Sequence, residues 1–248
     1  MSVLVLRLAG PLQAWGASAR FVRRTTESVP TKSGVIGMLA AAQGLDRSDD
    51  AGLSRLASLR FGIRADQPGT RVRDFQTAQH AVTGKSMPLS ERFYLADAVF
   101  VAVLEGDRAL LEELHTALST PVHPLFLGRR SCPPALPVEL GTRGSSLPQA
   151  LHEEPWQAAD WYQRLHGKEH TVVLNVLREP DPGEQRGDVL RDQPLSFTAA
   201  HRRHALRPVV STTVEVPNPR AVLAVRAPAA AHPVPHHDPF DAVEEETP

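Results

Sequence analysis

The junction Pro30-Thr31-Lys32-Ser33-Gly34 has the residue types of a helix start able to receive an anion. A helix N-terminus presents unpaired N–H groups and the positive end of its dipole, and small residues let a phosphate approach the backbone. Lys32 adds a point charge. The same residues also read as an ordinary capped helix, and the spacing of a P-loop is missing. Gly128-Arg129-Arg130-Ser131-Cys132-Pro133 is a second candidate. Two adjacent guanidiniums between Gly and Pro would sit on a tight turn, where forked donors clamp phosphate, unless the pair is idle surface. Arg202-Arg203, between His201 and His204, is a weaker form of the same signal. Trp15, flanked by Gln13 and Gly16, either stacks on a splayed base or folds back onto the core.

Other chemistries have less support. Of eleven histidines, His166 and His170 have the i, i+4 spacing of zinc ligands, but Gly167 weakens the helix such a pair needs. Cys132 has arginine neighbours yet no nucleophile constellation, so it reads as a structural thiol. The sequence thus predicts no catalytic residue, no metal and no cofactor. A lone cysteine also excludes an internal disulfide and fits a reducing compartment.

The 248 residues are 42% hydrophobic and 22% charged, an ordinary globular composition, and no apolar run approaches the ~20 residues of a membrane helix. A cytoplasmic protein without membrane contact is expected. The net charge of −1 conceals a basic body: all 27 Lys and Arg precede Ala227, while five of the 28 acids follow it, leaving 23 acids against 27 bases before that point. Arg7, Arg20, Arg23, Arg24 and Lys32 face Glu27 alone in the first forty residues, a patch that either attracts phosphates or is simply solvated.

The elements that must position these residues follow from periodicity. Val3 to Leu8 reads as a buried strand, and Gly10-Pro11 ends it. Thr31 caps a helix over Lys32–Gln43 with Val35, Leu39 and Ala42 inward and Gly44 as its stop. A second helix is expected over Ser48–Leu59, then a strand at Phe61–Ala65. Residues 72–96, with Arg73, Asp74, Gln76, Gln79, His80, Lys85 and Arg92, break every period and read as a protruding insertion. A strand at Ala98–Leu104, a helix with Leu110, Leu111, Leu114 and Leu118 on one stripe, and a strand at Val138–Leu140 complete a ferredoxin-like βαββαβ order, an α+β fold. Residues 1–145 would form this domain. Residues 146–226 would form a β-rich portion, with strands at Thr171–Leu177, Val209–Val216 and Val222–Val225, as a second sheet or a derivative of the first. Residues 227–248, an acidic Pro/Ala/His segment, read as a disordered tail. Aromatics are 5% of the chain and no run of Gly and Phe marks a base-stacking strand, so loops must do any binding.

Three segments carry a resemblance: Leu6-Arg7-Leu8-Ala9-Gly10-Pro11-Leu12-Gln13-Ala14-Trp15-Gly16, Pro30 to Gly37, and Leu127 to Pro133. Together, over about residues 1–145, they resemble the type I-E branch of the Cas-five family, CRISPR-associated subunits of the Cascade interference complex. The resemblance implies an RRM-like fold with a β-hairpin thumb at residues 72–96. It implies a place at the 5′ handle of the guide RNA (crRNA), contacts with the backbone subunit CasC, the large subunit CasA and other Cascade subunits, and target DNA nearby. It also implies no RNA cleavage, which belongs to CasE. Where the family usually has Asp-Tyr-His-Thr, this chain has Asp74-Phe75-Gln76-Thr77, which removes any contact that needs the Tyr hydroxyl or the imidazole. The residues expected at RNA are Gln13, Trp15, Arg20, Thr31, Lys32, Ser33, Gly34, Arg73, Arg92, Gly128, Arg129, Arg130 and Ser131. Two rivals stay open: a metal-independent endoribonuclease with His80, His115 or His123 as base, and a free-standing RNA-binding regulator.

Overall fold

The computed structural model describes residues 1–16, 23–185 and 187–222. Arg20, residues 223–225 of the last expected strand and the expected tail lie outside the described residues. The elements run β1 (Ser2–Ala9), β2 (Leu12–Gln13), β3 (Arg23–Arg24), α1 (Lys32–Gln43), α2 (Asp50–Ala57), β4 (Arg60–Gln67), β5 (Thr70–Gln76) and β6 (Ser90–Ala96). They continue as β7 (Val99–Gly106), α3 (Arg108–Ser119), β8 (Glu139–Arg143), α4 (Leu147–Glu153), α5 (Asp160–Leu165), β9 (Thr171–Arg178), β10 (Asp188–Ser196) and β11 (Arg203–Pro217).

One sheet holds seven strands in the order β10-β11-β9-β4-β7-β1-β8, every neighbouring pair antiparallel. The unbroken apolar run of β1 has a simple cause: both faces are covered. Leu4, Leu6 and Leu8 pack in the core with Val35, Leu39, Leu111 and Leu114 of α1 and α3. Val3 and Val5 pack with Val101, Val103, Leu147 and Leu151 on the opposite side. Each buried Leu or Val contributes about 1.5–3 kcal/mol of transfer free energy, which makes this two-sided strand the anchor of the fold.

Helix α1 starts and stops where its sequence signals stand. Thr31 accepts the Gly34 N–H, and Gly44, at φ 72°, terminates it in the left-handed region. Helix α2 is shorter than the Ser48–Leu59 reading, because Asp49 rather than an earlier residue accepts the Gly52 N–H and fixes the start. The strand expected at Val138–Leu140 lies at Glu139–Arg143.

The β-rich portion after residue 146 continues the first sheet. β9 pairs with β4 through Gly62–Arg64 and Val176–Arg178, so the extension shares the hydrogen-bond ladder of the core. Arg64 locks α4 beneath it: its side chain is fully buried, pairs with Asp66, and donates to the Leu151, Glu154 and Pro155 carbonyls.

The insertion that breaks all periodicity is the β5–β6 hairpin. It shows no hydrophobic pattern because most of its side chains on both faces are partly or fully exposed. β2 and β3 add to the outer edge of β6, β2 antiparallel and β3 parallel. Among the described residues no helix is long and apolar enough to cross a membrane.

Candidate nucleic-acid interface

The start of α1 does hold an anion, and the anion is internal. The Lys32 backbone N–H donates to Asp192 Oδ2 at 2.8 Å, and Arg207 clamps the same carboxylate through Nε and Nη2 at 2.9 and 2.8 Å. Lys32 Nζ donates to Glu179 Oε1 at 2.8 Å with its side chain 3% exposed. Burial pulls the Lys32 ammonium below its ordinary pKa, against the Glu179 carboxylate, which raises it. This corrects the expectation for Lys32: Glu179 just after β9, Asp192 of β10 and Arg207 of β11 supply the carboxylates and the clamp that occupy the helix tip, so a phosphate does not meet this ammonium. Thr31 and Ser33 remain at the edge, almost covered, with Gly34 half-buried beside them.

Gln13 and Trp15 are likewise turned inward. Trp15 Nε1 donates to Gln13 Oε1 at 3.0 Å, and Gln13 Nε2 donates to the Leu8 and Ala98 carbonyls at 2.9 and 2.7 Å. Both side chains are wholly buried with these polar atoms paired inside, which removes them as a stacking pocket for bases. The Trp15 ring instead supports α1 from below: a Cβ at Gly34 would stand 2.8 Å from it.

The Gly128–Ser131 loop is a tight turn, and its two arginines differ. Arg129 donates from Nη1 to Phe93 O at 2.8 Å and from Nη2 to the Arg24 and Thr25 carbonyls at 2.7 and 3.2 Å, with its guanidinium over the Tyr94 ring. It ties the loop to the hairpin base and keeps its charge, since carbonyls do not neutralise it. Arg130 is exposed and makes no hydrogen bond or ion pair among the described residues. The Ser131 hydroxyl stands 3.5 Å from the Tyr94 hydroxyl. Cys132 is buried, and burial raises its thiol pKa. Gly128, at φ 89°, leaves no room for a Cβ, which would lie 1.9 Å from the Ala14 carbonyl oxygen. Gly128→Ala should therefore lower stability by about 3 kcal/mol, read as a drop in the urea midpoint; an unchanged midpoint would show that the turn is not constrained.

These two segments open onto one cleft of about 1290 Å³. Thr31, Ser33, Gly34, Gly128, Arg129 and Arg130 all line it, and Trp15 lies in its wall. Its floor includes Gly34, Gly37, Ala41 and Gly44, which recur at helical spacing along α1 and its end and let Trp15, Phe197 and Val122 approach the helix backbone. Its rim adds Arg47, Arg191, Arg202, His123, Phe197 and His204. Among the described residues Arg47, Arg130, Arg191 and Arg202 make no hydrogen bond or ion pair to any side chain, although Arg202 lies over the Phe197 ring. Burial, then the charge of Arg47, lowers the Arg202 pKa, and burial followed by Arg202 lowers that of His204. The two acids of the cleft are engaged elsewhere: Asp46 accepts from Ser48, and Asp49 caps α2. An open groove with uncompensated guanidiniums and an aromatic ring has the chemistry to hold an anionic chain.

Arg73 and Arg92 lie on the hairpin, outside this cleft and on opposite faces of it. The register pairs Arg73 with Phe93 and Asp74 with Arg92, and residues directly opposite share a face. Arg73 is exposed above the Phe75 ring at 4.8 Å, and Arg23 of β3 lies over Phe93 at 5.3 Å, giving one face a basic and aromatic surface. Arg92 is on the reverse face, where its Nε is buried without a hydrogen-bond partner among the described residues.

Of the three histidines offered as a base, His123 alone lines the cleft. His80 is in the hairpin turn, His115 on α3, and His123 in the loop after α3. His166 Nδ1 lies 3.0 Å from Glu169 Oε1. Among the described residues no three His, Cys, Asp or Glu side chains form a metal-sized group.

Residues 3–210 match the family described as CRISPR-associated protein (Cas_Cas5), which is most of the chain. The chain belongs to this Cas5 family. Within it, CRISPR system Cascade subunit CasD of Escherichia coli (strain K12) is 36% identical over 199 residues, spanning 72% of this chain and 88% of the relative. A crystal structure of a Cas protein aligns with a TM-score of 0.66 and 38% identity over 88% of this chain and 97% of the other. A chain of a CRISPR RNA-guided surveillance complex aligns with a TM-score of 0.71 and 32% identity over 90% and 95%.

Proposed function

We propose that the chain is a non-catalytic subunit of a type I-E Cascade complex in which the cleft over α1 holds the 5′ handle of the crRNA. The observation that carries this reading is the convergence of Thr31–Gly34 and Gly128–Arg130 on a groove with five arginines, Arg129 among them, that no carboxylate pairs among the described residues. The kinship with CasD and with a chain of an RNA-guided surveillance complex supports the setting. Phosphate contacts position a nucleic acid and base contacts specify it, so the guanidiniums fix the handle's path while Phe197 and Phe126 stand within reach of its bases.

The exposed Arg23, Arg73 and Phe75 face of the hairpin then meets guide nucleotides beyond the handle. The β4-β7-β1-β8 order, with α1 and α3 in the crossovers, is read as the ferredoxin-like core common to RRM-type folds. Contacts with CasC, CasA and other Cascade subunits, proximity to target DNA and a cytoplasmic location belong to the same reading. Of the histidines offered as a base, His80, His115 and His123 stand on three separate elements, and His123 alone of the three lines the cleft.

The test is the salt dependence of guide RNA retention in the assembled complex. Replacing Arg47, Arg130, Arg191 and Arg202 together by Ala should flatten the log K against log salt slope by about 0.7 for each phosphate that is no longer neutralised. A slope equal to that of the unaltered complex would remove the cleft from the RNA path.

A further inference from the structure

We propose that the acidic segment Asp238–Glu246 docks into the arginine cleft over α1 when no RNA fills it. Its competition with RNA rests on the function proposed above; the docking itself does not. Charge complementarity carries the proposal. Arg47, Arg130, Arg191 and Arg202 face the groove without a carboxylate among the described residues, and Asp46 and Asp49, the acids of the same groove, are held by Ser48 and by the start of α2. Arg47 and Arg202 line the same groove, so their positive charges add there. From Ala227 onward the sequence has no Lys or Arg, and it concentrates Asp238, Asp241, Glu244, Glu245 and Glu246 within nine positions. Phe240 lies among these acids as a base lies among phosphates, so one segment offers both partners that Arg202 and Phe197 would receive from RNA. The match to the Cas5 family ends at residue 210, and this segment follows it.

The reach is adequate. The described chain ends at Val222, whose N–H donates to the Gly167 carbonyl beside the end of β11. The cleft adjoins the other end of that strand, at Arg202 and His204. Fifteen strand residues at ~3.3 Å span roughly 50 Å. About 20 residues of chain separate Val222 from Asp241, and they extend up to roughly 65 Å. The acids can thus return along β11 to the groove, and the tether makes the docking intramolecular.

The experiment uses the full chain. A spin label on Ala242→Cys, with Cys132 buried and protected, should broaden the amide signals of Gly34 and Gly37 at low salt. The broadening should vanish at 0.5 M salt, where screening shortens to roughly 4 Å, and in an Arg47→Ala/Arg202→Ala background. Broadening confined to residues near Val222, or insensitive to those arginines, overturns the docking. In the same full chain, replacing the five carboxylates by their amides should tighten binding of a short single-stranded RNA about tenfold. If the label places the segment in the cleft and RNA affinity does not change, the docked segment stands and the RNA path is elsewhere, so the two readings fail separately.

Discussion

Arg64→Ala should lower the stability of the fold by about 3–5 kcal/mol. The guanidinium is fully buried, and all five of its N–H donors are used: Nε and Nη2 on the two Asp66 oxygens, and the rest on the carbonyls of Leu151, Glu154 and Pro155. Truncation leaves a buried carboxylate whose remaining partner is the Gln157 N–H, and three unanswered carbonyls that free the α4 end from the sheet. In a chain of this size the change amounts to roughly 10 °C in Tm. Burial already raises the Asp66 pKa, against the two downward effects of Arg64. Without Arg64 the folded-state pKa rises further above the unfolded value. The folded state then holds that proton more tightly, so stability increases as pH falls through the raised folded value toward the ordinary 3.8. The defect of Arg64→Ala should therefore shrink in mild acid. Arg64→Met/Asp66→Leu, which removes both charges, should recover part of the loss. Urea midpoints at pH 7 and pH 5 with a constant m-value test this, and a loss independent of pH would contradict it.

Asp192→Ala should cost a similar amount, about 3–5 kcal/mol, for a related reason. It strips Arg207, 3% exposed, of its bidentate partner and leaves the first N–H of α1 unanswered. Glu179, 3.7 Å from Arg207 and bonded to Lys32, cannot serve both cations fully. Asp192→Asn keeps an acceptor for the helix and should be the milder change by at least about 1 kcal/mol. Asp192 also holds β10 against α1, and the β10–β11 region brings Arg191, Phe197, Arg202 and His204 to the cleft. Loss of guide RNA by folded Asp192→Ala protein would be the functional echo of the same break. Equal stability of the Ala and Asn variants would show that the carboxylate's charge is not what secures the helix tip.

The sequence disclosed what short-range chemistry determines. Thr31 and Gly44 mark both ends of α1 by local hydrogen bonding and φ preference, and the leucines of α3 declare their face by period alone. It located Thr31–Gly34 and Gly128–Arg130, and it left them as separate sites because nothing local says that α1 and the loop after α3 share a groove. Lys32 is the instructive error. A lysine at a helix start has the same appearance whether its carboxylate comes from a ligand or from Glu179, some 147 positions away. Trp15 and Gln13 were ambiguous for a comparable reason, since one hydrogen bond between them decides that both turn inward. Arg47 and Arg191 were invisible as single arginines, and Arg202 registered only as half of a weak pair. A further signal does stand in the sequence: Gly34, Gly37, Ala41 and Gly44 form a small-residue stripe at helical spacing, and it is there that Trp15, Phe197 and Val122 approach the helix.

Photocrosslinking within the assembled complex decides whether the 5′ handle lies in the cleft over α1. With 4-thiouridine placed at successive handle positions, adducts should form on His123, Phe126, Phe197 and His204 around the groove. Handle adducts confined to Phe75 and Phe93 of the hairpin, or to residues on neither surface, would refute that placement.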